Sequence, residues 1–158
     1  MSEAGLSKVK LSDVGLSRPL LNAQYYRKTT KGKVPAKWMA IESLFEERYT
    51  HASDVWSFGV LAWEVFAFGE EPYAGLSPED AVRSLIRGNR LSRPDACPVP
   101  VFDHHEVSNF DLTYLFMIWG RYDLLLRMWQ KEEFVRPEFH TIVVTLQLYI
   151  DNSEETAL

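Results

Sequence analysis

Cysteine is almost missing from this chain: Cys97 is the only one in 158 residues. No intrachain disulfide can form, no cysteine-based metal spacing exists, and the lone thiol suits a reducing compartment. Positive charge is also in deficit. There are 17 Lys and Arg against 22 Asp and Glu, a net charge of −5, which argues against a general nucleic-acid binder. Long apolar runs are absent. The longest, "LTYLFMIW" from Leu112 to Trp119, has eight residues, too few to span a bilayer. The opening "MSEAGLSK" has no apolar core and does not read as a secretory leader. His104, His105 and Glu106 hint at a metal, but adjacent histidines with one glutamate are a weak ligand spacing.

What is present suits one soluble domain with its own core. The chain is 46% hydrophobic and 13% aromatic, so helices burying large side chains are expected. The cations gather in "YYRKTTKGK", a basic patch in an acidic protein. Residues 8–11 read as the end of a strand. Residues 13–37 read as a long loop, punctuated by Gly15, Pro19, Gly32 and Pro35, and a loop this long inside a compact domain is usually functional. Ser53 precedes "DVWSFGVLAWEVFAFG", which is apolar on every face and so reads as a buried helix with Gly69 as its stop. In "GLSPEDAVRSLIRGNR", Ser77 suits an N-cap, Pro78 the first helical position and Asp80 a weak capping box. Ala81, Val82, Leu85 and Ile86 form a stripe that Gly88 ends. A short helix is expected over 121–129. The last is expected in "RPEFHTIVVTLQLYI", with Phe139, Ile142, Val143, Leu146 and Ile150 on one face and a fraying polar tail over 151–158.

Five segments in order, "SDVGLSR", "VPAKWMAIES", "SDVWSFGVLAWEV", "PYAGLSPEDAVRSLIRGNRLSRP" and "MWQKEEFVRPEF", make the chain resemble the C-terminal lobe of a protein tyrosine kinase. The resemblance covers residues 8–150, with 8–43 similar to an activation segment and 1–7 outside it. "YYRKTTKGKVPAKWMA" and "YTHASDVWSFGVLAWE" look most like receptor tyrosine kinases, among them the fibroblast growth factor receptors. The implied fold is mainly α, the helical lobe of the kinase fold truncated before the catalytic loop.

The resemblance implies roles residue by residue. Asp13 stands where the D-F-G aspartate ligates Mg²⁺ on the ATP phosphates, a task that needs a hard oxygen ligand. Gly15 completes that motif, and Val14 replaces its phenylalanine, whose packing helps set active and inactive states. Tyr25 and Tyr26 match paired activation-loop tyrosines, where a phosphate of roughly −1.5 to −2 charge can order a loop. They imply phosphorylation and kinase or SH2-type partners. Lys33, Pro35 and Ala36 match the substrate platform, where proline offers a flat apolar surface to an incoming phenol ring. Glu42, in A-I-E in place of A-P-E, implies an ion pair with Arg136 that clamps the loop to the helical core. Asp54 matches a structural aspartate that hydrogen-bonds the catalytic-loop backbone.

Other parts of the family pattern do not occur in these 158 residues. There is no Gly-rich phosphate loop, no strand lysine with a partner glutamate, and no H-R-D-x-x-x-x-N to supply base and second metal ligand. The expectation is a partial domain whose parent uses ATP and Mg²⁺ to phosphorylate protein tyrosines. The chain alone would be inactive, bind neither well, carry no catalytic residue, fold poorly, and sit on the cytoplasmic side. The alternatives are a non-catalytic helical interaction module or decoy, or a pseudokinase fragment in view of Val14 and Ile41. Deleting Val101 to Gly120 restores the family spacing between Cys97 and Trp129, so "VFDHHEVSNFDLTYLFMIWG" reads as an insertion. It is either a retained intron or gene-model error, or a genuine docking loop.

Overall fold

The computed structural model describes residues 25–27, 34–94 and 122–155. The expected strand over 8–11, the residues Asp13, Val14, Gly15 and Lys33, and the 101–120 insertion lie outside these residues. Five helices and two short strands make up the described fold: β1 (Tyr26–Arg27), α1 (Ile41–Phe45), β2 (Arg48–Tyr49), α2 (His51–Phe66), α3 (Pro78–Ile86), α4 (122–128) and α5 (Phe139–Glu155). Single 3₁₀ turns occur at Ala36–Trp38 and Glu133–Val135.

The start of α2 corrects the sequence reading. The helix opens at His51, with Thr50 as N-cap, rather than after Ser53. The Thr50 hydroxyl accepts from the Ser53 amide at 3.1 Å, and the Ser53 hydroxyl accepts from the Thr50 amide at 2.8 Å. This is a capping box with serine in place of the usual Glu or Gln, so two donors are satisfied without the expected signature. The far end differs too. α2 closes in a Schellman arrangement in which Gly69 donates to Glu64 at 2.8 Å and Phe68 to Val65 at 3.2 Å. The residue at the left-handed C′ position is therefore Phe68, at φ 53°, one place before the glycine expected to end the helix. α3 closes the same way with glycine in place: Gly88, at φ 91°, donates to Leu85 and Asn89 to Ser84. Its N-cap is Ser77 with Pro78 as the first helical residue, because that position lacks a partner for an N–H in any case.

The core forms where α2 meets α4. Val55, Trp56, Val60 and Trp63 of α2 pack with Leu124, Leu125 and Met128 of α4, with Trp129 just beyond it, and with Ile142 of α5. Gly59 is the closest approach. A β-carbon there would lie 2.8 Å from the indole nitrogen of Trp129 and 3.1 Å from Cβ of Met128. Polar ties bring the 90–92 segment onto this core: Trp63 donates its indole N–H to Ser92 O at 2.7 Å, the Tyr122 hydroxyl to Leu91 O at 2.7 Å, and Arg90 Nε to Trp129 O at 2.8 Å.

Three further expectations change. α2 is not covered all round among the described residues: Leu61 and Val65 are exposed, beside an apolar groove of about 230 Å³ that also includes Phe58, Leu124, Met128 and Leu146. In α3 only Ala81 and Leu85 of the stripe are buried, and Ile86 is exposed. In α5 Ile142 is buried and Leu146 half-buried, but Val143 is exposed, and the helix continues to Glu155 rather than fraying after Ile150. Gln147 donates to Asp151 at 2.7 Å, an i,i+4 bond that carries the helix into the polar tail.

Alanine usually favours a helix over glycine by ~1 kcal/mol. At Gly59 the added methyl meets a fully buried indole that has nowhere to move, and overpacking of this kind costs ~1–3 kcal/mol. Gly59→Ala is therefore expected to destabilise the chain, read as a lower urea midpoint with an unchanged slope.

Candidate functional site

Residues 34–42 run from an exposed turn to a buried clamp. Val34 and Pro35 are exposed. Proline holds its own φ, and the chain then closes a 3₁₀ turn in which the Trp38 amide donates to Pro35 O at 2.9 Å. The next two side chains turn inward. Lys37 is buried and its ammonium donates to Glu71 Oε1 at 2.7 Å and Tyr73 O at 3.4 Å. Trp38 donates its indole N–H to Glu64 Oε2 at 2.6 Å, while its carbonyl accepts from the Ser57 hydroxyl at 2.9 Å. Ile41 then occupies the first position of α1, where proline would fit equally well; here its side chain packs on the core.

Glu42 and Arg136 are both buried and lie 94 positions apart. The guanidinium grips the carboxylate with both ends, Nη1 to Oε1 at 2.6 Å and Nη2 to Oε2 at 2.9 Å. Its other three donors reach main-chain oxygens: Nε to Gln130 at 2.8 Å, Nη1 to Ala52 at 3.0 Å and Nη2 to Lys131 at 3.2 Å. All five N–H groups of arginine are used, the condition under which a buried ion pair can offset its desolvation. The same guanidinium lies 5.0 Å from the Trp56 ring, as does that of Arg90. Burial and the charge of Arg136 both lower the pKa of Arg90, against the effect of Tyr73.

The tyrosines sit at the other end of the segment. Tyr25 is exposed and Tyr26 half-buried. β1 pairs antiparallel with β2 in the register Tyr26 to Tyr49 and Arg27 to Arg48, with the two tyrosine rings 6.3 Å apart. The stretch read as loop therefore contains a two-residue strand. Ser43 donates to Arg48 O at 2.8 Å, and Arg48 reaches Glu133 Oε1 at 2.6 Å and Glu46 Oε2 at 3.2 Å. β2 is thus tied to α1 on one side and to the second 3₁₀ turn on the other. Asp54 lies in the first turn of α2, where partial dehydration raises its carboxyl pKa and His51 opposes the rise. Among the described residues no group of three or more His, Cys, Asp and Glu is placed to hold a metal.

The structure thus joins Glu42 to Arg136 and places Pro35, exposed, beside Ala36, half-buried, on one turn. Asp54 stands apart at the head of α2. Sequence reasoning did not single out Lys37, Trp38, Ser57, Glu64 or Glu71. The lysine and tryptophan were in view as part of "VPAKW", but their partners lie 19 to 34 positions away with no periodic signal.

Removing one member of the clamp strands a buried charge, at a cost of ~3–5 kcal/mol. Glu42→Leu and Arg136→Met should each lose about that much in denaturant melts, with the arginine variant worse because three carbonyls also lose their donors. The double variant should lose less than the two losses added together. A second expectation concerns pH. Burial pushes the Tyr73 hydroxyl up to about 12 from its ordinary value of 10. Because the folded pKa is the higher one, this contribution is present below pH 10 and lost as pH rises towards 12. Tyr73→Phe should flatten the loss of stability over that window.

The family model described as protein tyrosine and serine/threonine kinase matches residues 4–106, more than half of the chain. The match includes the exposed turn, the clamp glutamate and all of α2 and α3. Arg136 lies beyond it in sequence but is joined to it through Glu42. No described helix is long and apolar enough to cross a membrane. With its mainly helical architecture and this match, the chain belongs to the protein tyrosine and serine/threonine kinase family.

Proposed function

We propose that these residues form the substrate-binding and regulatory part of a tyrosine-specific protein kinase of receptor type, similar to the fibroblast growth factor receptors. The observation that carries the reading is the turn of exposed Pro35 and half-buried Ala36, mounted directly on the buried Lys37 and the half-buried Trp38. A flat apolar surface on a rigid base is what an incoming tyrosine ring requires, because a phenol is held mainly by burial against such a face. Lys33 would flank this ledge. Tyr25 and Tyr26 are the sites of phosphorylation, and their products would recruit SH2-type partners. The parent's substrates are protein tyrosines, and its setting is the cytoplasmic side of a membrane.

ATP and Mg²⁺ belong to the parent. Asp13 is the residue that would hold the metal, which supplies charge neutralisation on the phosphates. Since these 158 residues contain no H-R-D base and no Gly-rich loop, the chain by itself transfers no phosphate. A second reading, a helical interaction module or decoy phosphorylated by other kinases, draws support from the exposed Leu61 and Val65 on α2.

A radiometric assay of the purified chain with Mg-ATP and a tyrosine polymer is expected to give no incorporation above background. An active tyrosine kinase added to the same sample should label Tyr25 and Tyr26, mapped by mass spectrometry. Turnover by the chain alone would overturn the claim of inactivity. Labelling confined to other tyrosines would remove the regulatory role.

A further inference from the structure

Lys37 is an unusual residue to bury. Only 7% of its side chain is exposed, whereas its partner Glu71 is 63% exposed. A lone buried ammonium costs several kcal/mol, so the lysine must gain something from this particular place. Its apolar stem can pack under the ledge while the head reaches out to a carboxylate and a carbonyl. Those two acceptors, Glu71 and the main chain of Tyr73, belong to the connection between α2 and α3. Among the described residues, the other side-chain hydrogen bonds of the 34–38 segment go to α2, and its 3₁₀ turn also packs on α3. Trp38 lies along α2, held at its carbonyl by Ser57 and at its indole by Glu64, seven residues or two turns further on. Consecutive side chains therefore tie the ledge to two different elements, α2 and the 71–73 segment.

The 71–73 segment is anchored from below, with Pro72 fully buried and Tyr73 packed on the core, but its main chain is strained. Tyr73 sits in the left-handed region at φ 52°, which costs roughly 1–2 kcal/mol for a residue with a β-carbon. The Leu76 amide donates to Tyr73 O at 3.0 Å, so the carbonyl that Lys37 contacts also closes the turn leading to α3. The ammonium thus sits between the exposed proline turn and a strained loop.

We infer that the Lys37–Glu71 pair is a positioning device for peptide binding, which holds the Pro35–Ala36 turn and the 71–73 loop together as one ledge. The inference rests on the reading of Pro35–Ala36 as a substrate platform. Lys37 does not touch the peptide; it acts through the turn above it and the loop beside it.

The test uses the whole chain, isotope-labelled, titrated with a blocked decapeptide containing one tyrosine and with its serine counterpart. Affinity is read from the amide shifts of Ala36 and Lys37, and folding from the thermal midpoint. Wild type should bind the tyrosine peptide more tightly than the serine one. Lys37→Met and Glu71→Gln should each weaken binding about tenfold, the value of one charge-assisted hydrogen bond. Lys37→Arg should retain it, and the exchanged pair K37E/E71K should recover most of it. A purely structural pair would move the midpoint and leave the affinity of the folded protein unchanged. If K37M does not fold, E71Q decides, because its side chain lies mostly in solvent. Wild-type binding that neither variant weakens would overturn the positioning role and leave the platform standing. Equal binding of the two peptides by wild type would remove the platform, and the positioning role with it.

Discussion

The clamp between Glu42 and Arg136 is the constraint on which the rest of the described structure depends. It joins α1 to the turn before α5 across 94 residues of sequence, and through Ala52 O it also holds the first turn of α2. A buried ion pair is often a poor source of net stability, since desolvation takes back most of the Coulombic gain. What distinguishes this one is completeness. Each guanidinium N–H has an acceptor, so no donor is left without a partner in a dry site. The arrangement is specific rather than merely attractive, because a planar fork can satisfy five acceptors in only one orientation.

From that clamp the architecture extends in two directions. Towards the core, Trp56 lies against both Arg136 and Arg90, and Gly59 one turn later lets Trp129 approach α2 directly. Towards the surface, the clamp ends the segment that carries the proline turn. The turn is exposed, but it stands on Lys37 and Trp38, whose partners come from α2 and the loop beyond it. An outward-facing surface on a buried base is a sound arrangement for binding, because it limits the ordering that a ligand would otherwise have to impose.

Much of this was legible from residue patterns. Proline, serine and glycine at the ends of α3 act through local backbone rules, and the structure uses Ser77, Pro78 and Gly88 in those roles. The family was legible from five short segments in order. The errors were also local. Thr50 and Ser53 share a capping box that lacks the glutamate by which such boxes are recognised. Phe68 takes the left-handed position one residue before the glycine that seemed made for it, because the hydrogen-bonding frame of the helix end chooses the position and not the residue type. α2 looked buried on every side because hydropathy counts apolar residues without knowing how many neighbours will be there to cover them.

The sequence by itself determined the helical class, both ends of α3, the kinase family and the residue types of the clamp. Each of these depends on order and spacing along the chain, which are fully written in the residues. Only the tertiary structure decided which charges meet. Lys37 could have faced solvent with the cations that precede it. Its burial against Glu71, and the pairing of Trp38 with Glu64, come with the packing of the 3₁₀ turn on α2 and α3. That packing joins distant segments, and no local pattern encodes it.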